Sequence, residues 1–419
     1  MINIGWIDFS IDDRKKARQL LALIKPEGQL DELGIGYIRD AISNRLFPGI
    51  STIQTRAKYF FIVPSILRNY MSLSPNEKKK NLPQNYLANE EDKIQDILKE
   101  KYLGTSEKGI IGFTMARGKY VKRKPSEIYW NGLNTFGFID AGGLSMNSLF
   151  TNAYRQNKYF SERYVKDEDL DDSEVAMEET FKIRIPYIEN WQKDLQIQLT
   201  KDEALHFSDC LKNHKNIYLR DSLLFELFSN EDLMSLFIDS DNFHNFARGA
   251  QDIEINPIVK SGLAIGQNFY VLMEASHLFY NHLLQKHFFD DYDGIFLIEF
   301  DKWIDRFEIN MINFDEFDLS SLYSISNFRN YKQTEGFLKS WWQYIYEYKK
   351  SYDSELLNKM EKLIKSREQS VKQGKARLQK SPLNNIDVKK GRRIGILDIS
   401  YRFYNAKMIV EDILKPKTN

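Results

Sequence analysis

A single cysteine, Cys210, stands among 419 residues, so no internal disulfide can form, and a lone thiol fits a reducing compartment. No apolar run approaches the ~20 residues needed to cross a bilayer; the most apolar stretch, Tyr59 to Leu67, is short and holds Pro64. A signal-like leader is lacking too, because the charged segment Asp12 to Arg18 comes before any apolar stretch. Nor is there an excess of one charge. Lys plus Arg and Asp plus Glu both number 59, which excludes a uniformly basic nucleic-acid coat and an acidic solvating chain. What remains, 42% hydrophobic and 28% charged with 10 prolines and 21 glycines, describes a globular chain with ample core. The expectation is a soluble cytoplasmic protein with no membrane partner, and roughly 150 residues per domain allows about three domains.

Several common chemistries lack their residues. Gly34-Ile35-Gly36 has Arg39 where a dinucleotide fingerprint needs its third glycine, and no glycine-spaced loop ends in Gly-Lys-Ser or Gly-Lys-Thr. No cofactor and no ATPase activity are expected. His206, Cys210 and His214 recur every four residues and could face one way on a helix, but no Cys-x-x-Cys or His-Glu-x-x-His accompanies them. Cys210 reads as a small hydrophobe and no metal is expected. His277, His282 and His287 recur every five, which turns each about 140° from the next. Asp293 followed by Glu299-Phe300-Asp301-Lys302 approaches a restriction-nuclease pattern, yet the lysine falls one position late. On a strand that slip turns it to the opposite face.

Most periodic segments read as helix, so the fold class expected is mainly α, several helical units with few short strands. Residues 1–75 form an amino-terminal helical unit. Ile4 to Phe9 is its one strand, and Ser10 with Asp13 caps a helix that stops at Pro26. Ile35, Ile38, Ile42 and Leu46 repeat the helical pattern, and Ser51 with Gln54 caps a third helix, which Pro64 should kink or end. Polar residues Asn76 to Glu91 suit a linker. Residues 92–150 combine a helix over Lys93 to Leu103, a glycine-spaced stretch and a short helix after Pro125; a small winged-helix-like module would suit Lys93 to Asp140. Arg155 to Glu179 reads as a charged loop. Residues 180–419 form a helical carboxy-terminal domain, with Ile295 to Phe300 a short strand and Gln333 to Gln373 a long helix or helix pair. Arg56, in an apolar stretch, needs a carboxylate partner, Asp40 or Asp8.

Local charge is far from neutral. Lys99 to Glu127 has eight basic residues against three acidic, Glu162 to Glu179 nine acidic against two basic, and Lys359 to Arg393 twelve basic against three acidic. Solvated helix faces are the plain explanation. The sharper one is nucleic-acid contact. Arg117, Lys119, Lys122, Arg123 and Lys124 lead into a helix start at Pro125-Ser126, where cations can neutralise phosphates and free amides can donate to a phosphate oxygen. Tyr120, Tyr129 and Trp130 offer stacking faces. Lys389, Lys390, Arg392 and Arg393 form a second basic loop.

The run Gly5-Trp6-Ile7-Asp8-Phe9-Ser10, then Leu33-Gly34-Ile35-Gly36 with Arg39-Asp40, Phe47-Pro48-Gly49 and Ser51-Thr52-Ile53-Gln54-Thr55-Arg56-Ala57-Lys58-Tyr59-Phe60, resembles an uncharacterised bacterial family of about this length. Pro125-Ser126 with Ile128-Tyr129-Trp130 and Gly132-Leu133, Arg367-Glu368 and Ala376-Arg377-Leu378 match it further. The family carries no established activity. Its members tend to be encoded in anti-phage defence islands, near helicases and DNA-modifying or DNA-cutting genes. The resemblance implies an accessory DNA-binding or adaptor subunit with DNA, helicase or nuclease proteins as partners. The alternatives are a nuclease-type enzyme built on Asp8, Asp12, Arg39, Asp40 and Arg56, and a purely protein-binding scaffold.

Overall fold

A computed structural model describes residues 31–152, 182–213, 217–306, 331–380, 388–395 and 399–417. The fold is mainly α. Among the described residues strand is confined to Ile139–Asp140 and Lys182–Ile183, which pair antiparallel. The strand Ile4 to Phe9, the Ser10–Asp13 cap, the loop Arg155 to Glu179 and the residues Asp8, Asp12 and His214 lie outside the described residues. The chain divides into two compact units, neither contiguous: a first unit of Met1–Ala41 with Ile265–Ile399, and a second of Ile42–Ala264 with Ser400–Asn419.

The second unit is built on the Tyr59–Met71 helix, which packs on the helices Pro83–Lys101 and Pro125–Thr135. Pro64 does not end it; the helix runs on to Met71. A mid-helix proline costs about 3 kcal/mol. Phe60, Phe61, Val63, Ile66 and Leu67 are all buried on this element, and each full burial contributes about 1.5–3 kcal/mol, so packing wins. Rings of Phe60, Tyr129, Phe136, Phe138 and Phe207 form the centre, with edge-on contacts as close as 4.8 Å.

The helix also begins later than Ser51. Gln54 is fully buried, accepts the Ser51 amide at 3.0 Å and donates to the Gly49 carbonyl at 3.0 Å, which makes a turn. Next, the Tyr129 hydroxyl accepts the amides of Thr55 (2.8 Å) and Arg56 (3.1 Å) and donates to the Arg56 carbonyl (2.9 Å). These bonds satisfy backbone groups that a helix would otherwise take. Arg56 is buried, as its neighbours imply, but Asp40 is not its partner. Its guanidinium meets Asp412 at 2.8 Å and Glu107 at 2.7 Å, while Asp40 pairs with the adjacent Arg39 at 2.9 Å on exposed surface. Lys58 and Glu203 make a second buried pair at 2.6 Å.

The segment read as a linker is two helices, Pro75–Lys80 and Pro83–Lys101. Both prolines sit in the first turn, where a missing amide is not needed, and Ser74 with Glu77 makes a capping box. Between Lys93 and Asp140 strand is limited to Ile139–Asp140, so no hairpin wing lies inside that stretch.

In the first unit, Tyr331–Ser351 and Ser354–Lys372 form a helix pair, broken at Tyr352 in the left-handed region (φ 50°) and restarted by the Asp353 cap. Ile295 to Phe300 is no strand. It opens the helix Ile295–Arg306, which buries Phe296, Phe300, Trp303 and Ile304 at helical spacing. Phe279, Phe300 and Trp341 meet in its core. Beside them lies a buried charged cluster. Glu32 is held by Lys372 (2.7 Å) and Arg377, and Glu368 accepts from the Tyr280 hydroxyl (2.7 Å) and the amides of Arg377 (2.9 Å) and Leu378 (3.0 Å). Arg367 donates to the Leu33 carbonyl at 2.8 Å and to Thr334 at 2.9 Å. Burial alone would raise the Glu32 pKa, yet its two cationic partners hold it below the ordinary value.

Because Arg56 is 8% exposed and anchors two carboxylates, Arg56→Ala leaves Asp412 buried without its cation. The expected loss is about 3–5 kcal/mol, read as a fall in the urea midpoint at unchanged m-value.

Candidate nucleic-acid interface

The basic segment before Pro125 belongs to a loop that the Pro83–Lys101 helix holds in place. Its start is pinned to the unit's centre: Thr55 donates to the Gly109 carbonyl at 2.6 Å and Ile111 donates to the Tyr59 hydroxyl at 2.8 Å. Farther on, Lys99 donates to the Met115 carbonyl and Gln95 to the Lys119 carbonyl (3.1 Å), while the Tyr120 hydroxyl donates to Asp96 (2.9 Å) and Lys124 pairs with Asp92. Gly112 has φ +78° and lies so close to Gln95 that an added Cβ would sit 2.2 Å from the amide oxygen. A side chain there would be strained by the positive φ and would displace the Gln95 amide. Asp92, Gln95, Asp96 and Lys99 recur at i, i+3, i+4 and i+7, one helix face. That face holds the basic loop in place, and its spacing is a signal the sequence carries.

The candidate cations part into two groups. Arg117, Lys119, Lys122 and Arg123 are exposed and hold no ion pair among the described residues. Lys124 is half-buried and neutralised by Asp92, and its ammonium lies 5.5 Å from the Tyr120 ring centroid. The helix end expected to donate to a phosphate oxygen is occupied. Glu91, 3% exposed, accepts the Ser126 amide at 2.5 Å and the Ser126 hydroxyl at 3.1 Å. Ser126 and Tyr129 are both buried, so neither offers a surface contact. Trp130 is only half-buried, and its indole N–H donates to the Leu144 carbonyl at 3.4 Å.

In the first unit the loop 388–395 is clasped by a polar stripe of the Pro257–Phe288 helix. Asn281 accepts the Ile394 amide at 2.7 Å and donates to the Ile394 carbonyl at 3.0 Å; Gln285 accepts the Gly391 amide at 2.9 Å and donates to the Lys389 carbonyl at 3.1 Å. One turn earlier His277 is buried, with neither ring nitrogen bonded among the described residues, and burial pushes its pKa down to about 4. Lys390 pairs with Asp291 at 2.6 Å and Arg393 with Glu299 at 2.5 Å. Lys389 and Arg392 stay exposed and unpaired among the described residues.

The segments that carry the family resemblance meet inside each unit. Tyr129 bonds the backbone of Thr55 and Arg56, and Gly132 lies so close to the Gly49 carbonyl that an added Cβ would sit 2.6 Å away. Arg367 bonds the carbonyl of Leu33. The chain belongs to a family of unknown function, DUF6361, matched over residues 1–403. No curated protein and no solved structure matches it.

The other candidate chemistries assemble only in part. Cys210 Sγ lies 3.6 Å from His206 Nε2, but burial pushes the thiol up to about 11, so no thiolate stands ready. No group of three His, Cys, Asp or Glu among the described residues is placed to hold a metal ion. Asp293 and Glu299 precede and enter a helix, with Glu299 engaged by Arg393, so the strand-borne nuclease pattern has no strand to stand on. Arg39 and Asp40 are engaged with each other, and the guanidinium of Arg56 is enclosed by its two carboxylates.

Burial raises the Glu91 carboxyl from 4.5 to about 7, against the lowering effect of the Ser126 amide and hydroxyl. A raised folded-state pKa favours the protonated form. As pH climbs from about 4.5 to 7 the unfolded chain releases this proton before the folded one does, and stability falls. The drop should approach 3 kcal/mol, at about 1.4 kcal/mol per unit. Glu91→Gln should remove that decline, so denaturant midpoints at pH 5 and pH 8 should lie closer together in the variant than in the parent.

Proposed function

We propose that the chain is an accessory DNA-binding or adaptor subunit of a bacterial anti-phage defence system, acting beside a helicase or nuclease. The observation that carries the DNA part is the group Arg117, Lys119, Lys122 and Arg123: exposed, unpaired among the described residues, and displayed on a loop whose backbone Gln95 and Lys99 bond and whose Tyr120 and Lys124 side chains Asp96 and Asp92 hold. Phosphate binding needs a local field and not a net charge. A loop fixed beforehand gives up little ordering entropy when it binds. Contact runs through side chains alone, since Glu91 fills the neighbouring helix end. Lys389 and Arg392 supply a second, smaller contact in the first unit. The defence setting and the helicase or nuclease partner are supported by the family resemblance.

Replacing Arg117, Lys119, Lys122 and Arg123 together by Ala should weaken duplex binding and make log Kd less steep in log salt by about 3.6, at roughly 0.9 per phosphate contact. Lys124→Ala should leave the slope alone and lower stability by at most about 1 kcal/mol, as for a part-exposed pair. Fluorescence anisotropy across a salt series reads both. An unchanged slope in a folded quadruple variant removes this site, and metal-dependent cutting of plasmid by the purified chain would turn the reading to the nuclease alternative.

A further inference from the structure

In the second unit the helices Lys201–Lys212 and Glu231–Asp239 form the two walls of an open groove of about 800 Å³. Leu227 and Phe228 line it as well, as do Ile413 and Leu414 at the end of the Phe403–Leu414 helix. Two of the large apolar side chains most open to solvent line it, Leu205 at 55% and Leu414 at 46% exposure. Such a concentration of exposed apolar surface in one concavity marks a binding site more often than ordinary surface.

The polar rim is ordered by sign. Lys201 and Lys212 stand on one wall, Glu231 and Asp239 on the other. None of the four forms an ion pair among the described residues, although Ser235 donates to Asp239 at 3.3 Å. Lys201 and Lys212 are at the two ends of their helix, about 16 Å apart along its axis, and Glu231 and Asp239 about 12 Å. The groove thus has the length of roughly three helical turns, an apolar bed, one basic bank and one acidic bank. An amphipathic helix laid in such a groove buries its apolar stripe and meets each bank with a flank of opposite charge.

We propose that this groove docks an amphipathic helix of a partner protein, about three turns long, whose apolar stripe is flanked by acidic residues on one side and basic residues on the other. The inference goes beyond the DNA reading and uses none of its residues. A mixed flank fits in one chain direction only, because reversing the helix exchanges its sides along with its ends and sets like charge against like at both banks. A helix acidic on both flanks, or basic on both, meets repulsion at one bank whichever way it lies.

The test uses the full chain and three labelled synthetic 16-residue helices with one leucine stripe: a mixed-flank peptide and two controls, with glutamate on both flanks or lysine on both. Fluorescence anisotropy should show saturable binding of the mixed peptide and at least tenfold weaker binding of each control. Leu205→Glu, a change at an exposed position, should lose the mixed peptide while circular dichroism and the melting curve stay those of the parent. The Lys201→Glu, Lys212→Glu double variant makes both banks acidic and should shift preference to the peptide with lysine on both flanks. Equal binding of all three peptides, no binding of any, or full binding by Leu205→Glu would overturn the proposal. So would a dimer in sedimentation that Leu205→Glu dissolves, since the occupant would then be a second copy of the chain. DNA affinity should be unchanged in Leu205→Glu, which separates failure here from failure of the DNA reading.

Discussion

One buried guanidinium organises the second unit. Arg56 cannot sit 8% exposed without carboxylates, and it draws them from far along the chain: Glu107 from the loop after the Pro83–Lys101 helix and Asp412 from the Phe403–Leu414 helix. The charge balance is tight. Burial holds the Asp412 carboxyl above its ordinary pKa even with Arg56 against it. Asp412 also accepts the Ala57 amide at 2.8 Å, so the same carboxylate fixes both the cation and the backbone entering the Tyr59–Met71 helix. Tyr129 completes the arrangement by bonding the two preceding residues. Once these bonds are made, the position of the aromatic centre and of the Gly109–Lys124 loop follows, because Thr55 and Tyr59 hold that loop's start.

Helical character was legible from periodicity wherever a single face is buried, as in Lys201–Lys212 and Pro125–Thr135. It failed where local signals compete. Ser51 and Gln54 have the spacing of a cap, but a buried glutamine amide bonds its own turn instead. The Asn76 to Glu91 stretch has the polar composition of a linker, but Pro75 and Pro83 each stand at the first helical position, where proline is an ordinary starter. Ile295 to Phe300 is a short apolar run of the kind that period alone cannot assign; its helix became visible only with Trp303 and Ile304 beyond it. Arg56 was legible as buried, but its partners could not be, since a sequence reading ranks nearby carboxylates first and Asp412 is 356 positions away.

The candidate interface was legible as a concentration of charge and no further. Sequence shows that Lys122, Arg123 and Lys124 are adjacent; it does not show that Asp92 neutralises only the last. Acidic residues here act as holders more than as counter-charges to the whole segment. Asp96 grips the Tyr120 hydroxyl and Gln95 the Lys119 backbone, leaving the neighbouring ammonium and guanidinium groups turned outward. A neutral chain can present a basic surface in this way, because pairing is selective and not averaged over the sequence.

The interleaving of the two units has a consequence for synthesis. Arg56 leaves the ribosome 356 residues ahead of Asp412, and at about 5–20 residues per second that gap is roughly 20–70 s. Within that interval the first unit's second segment, Ile265–Ile399, is made, while Arg56 in the second unit still lacks Asp412. Each nascent chain therefore passes through a long-lived, incompletely neutralised state, in which its stability in the cell is governed by translation speed and chaperone protection before any equilibrium between folded and unfolded forms is established.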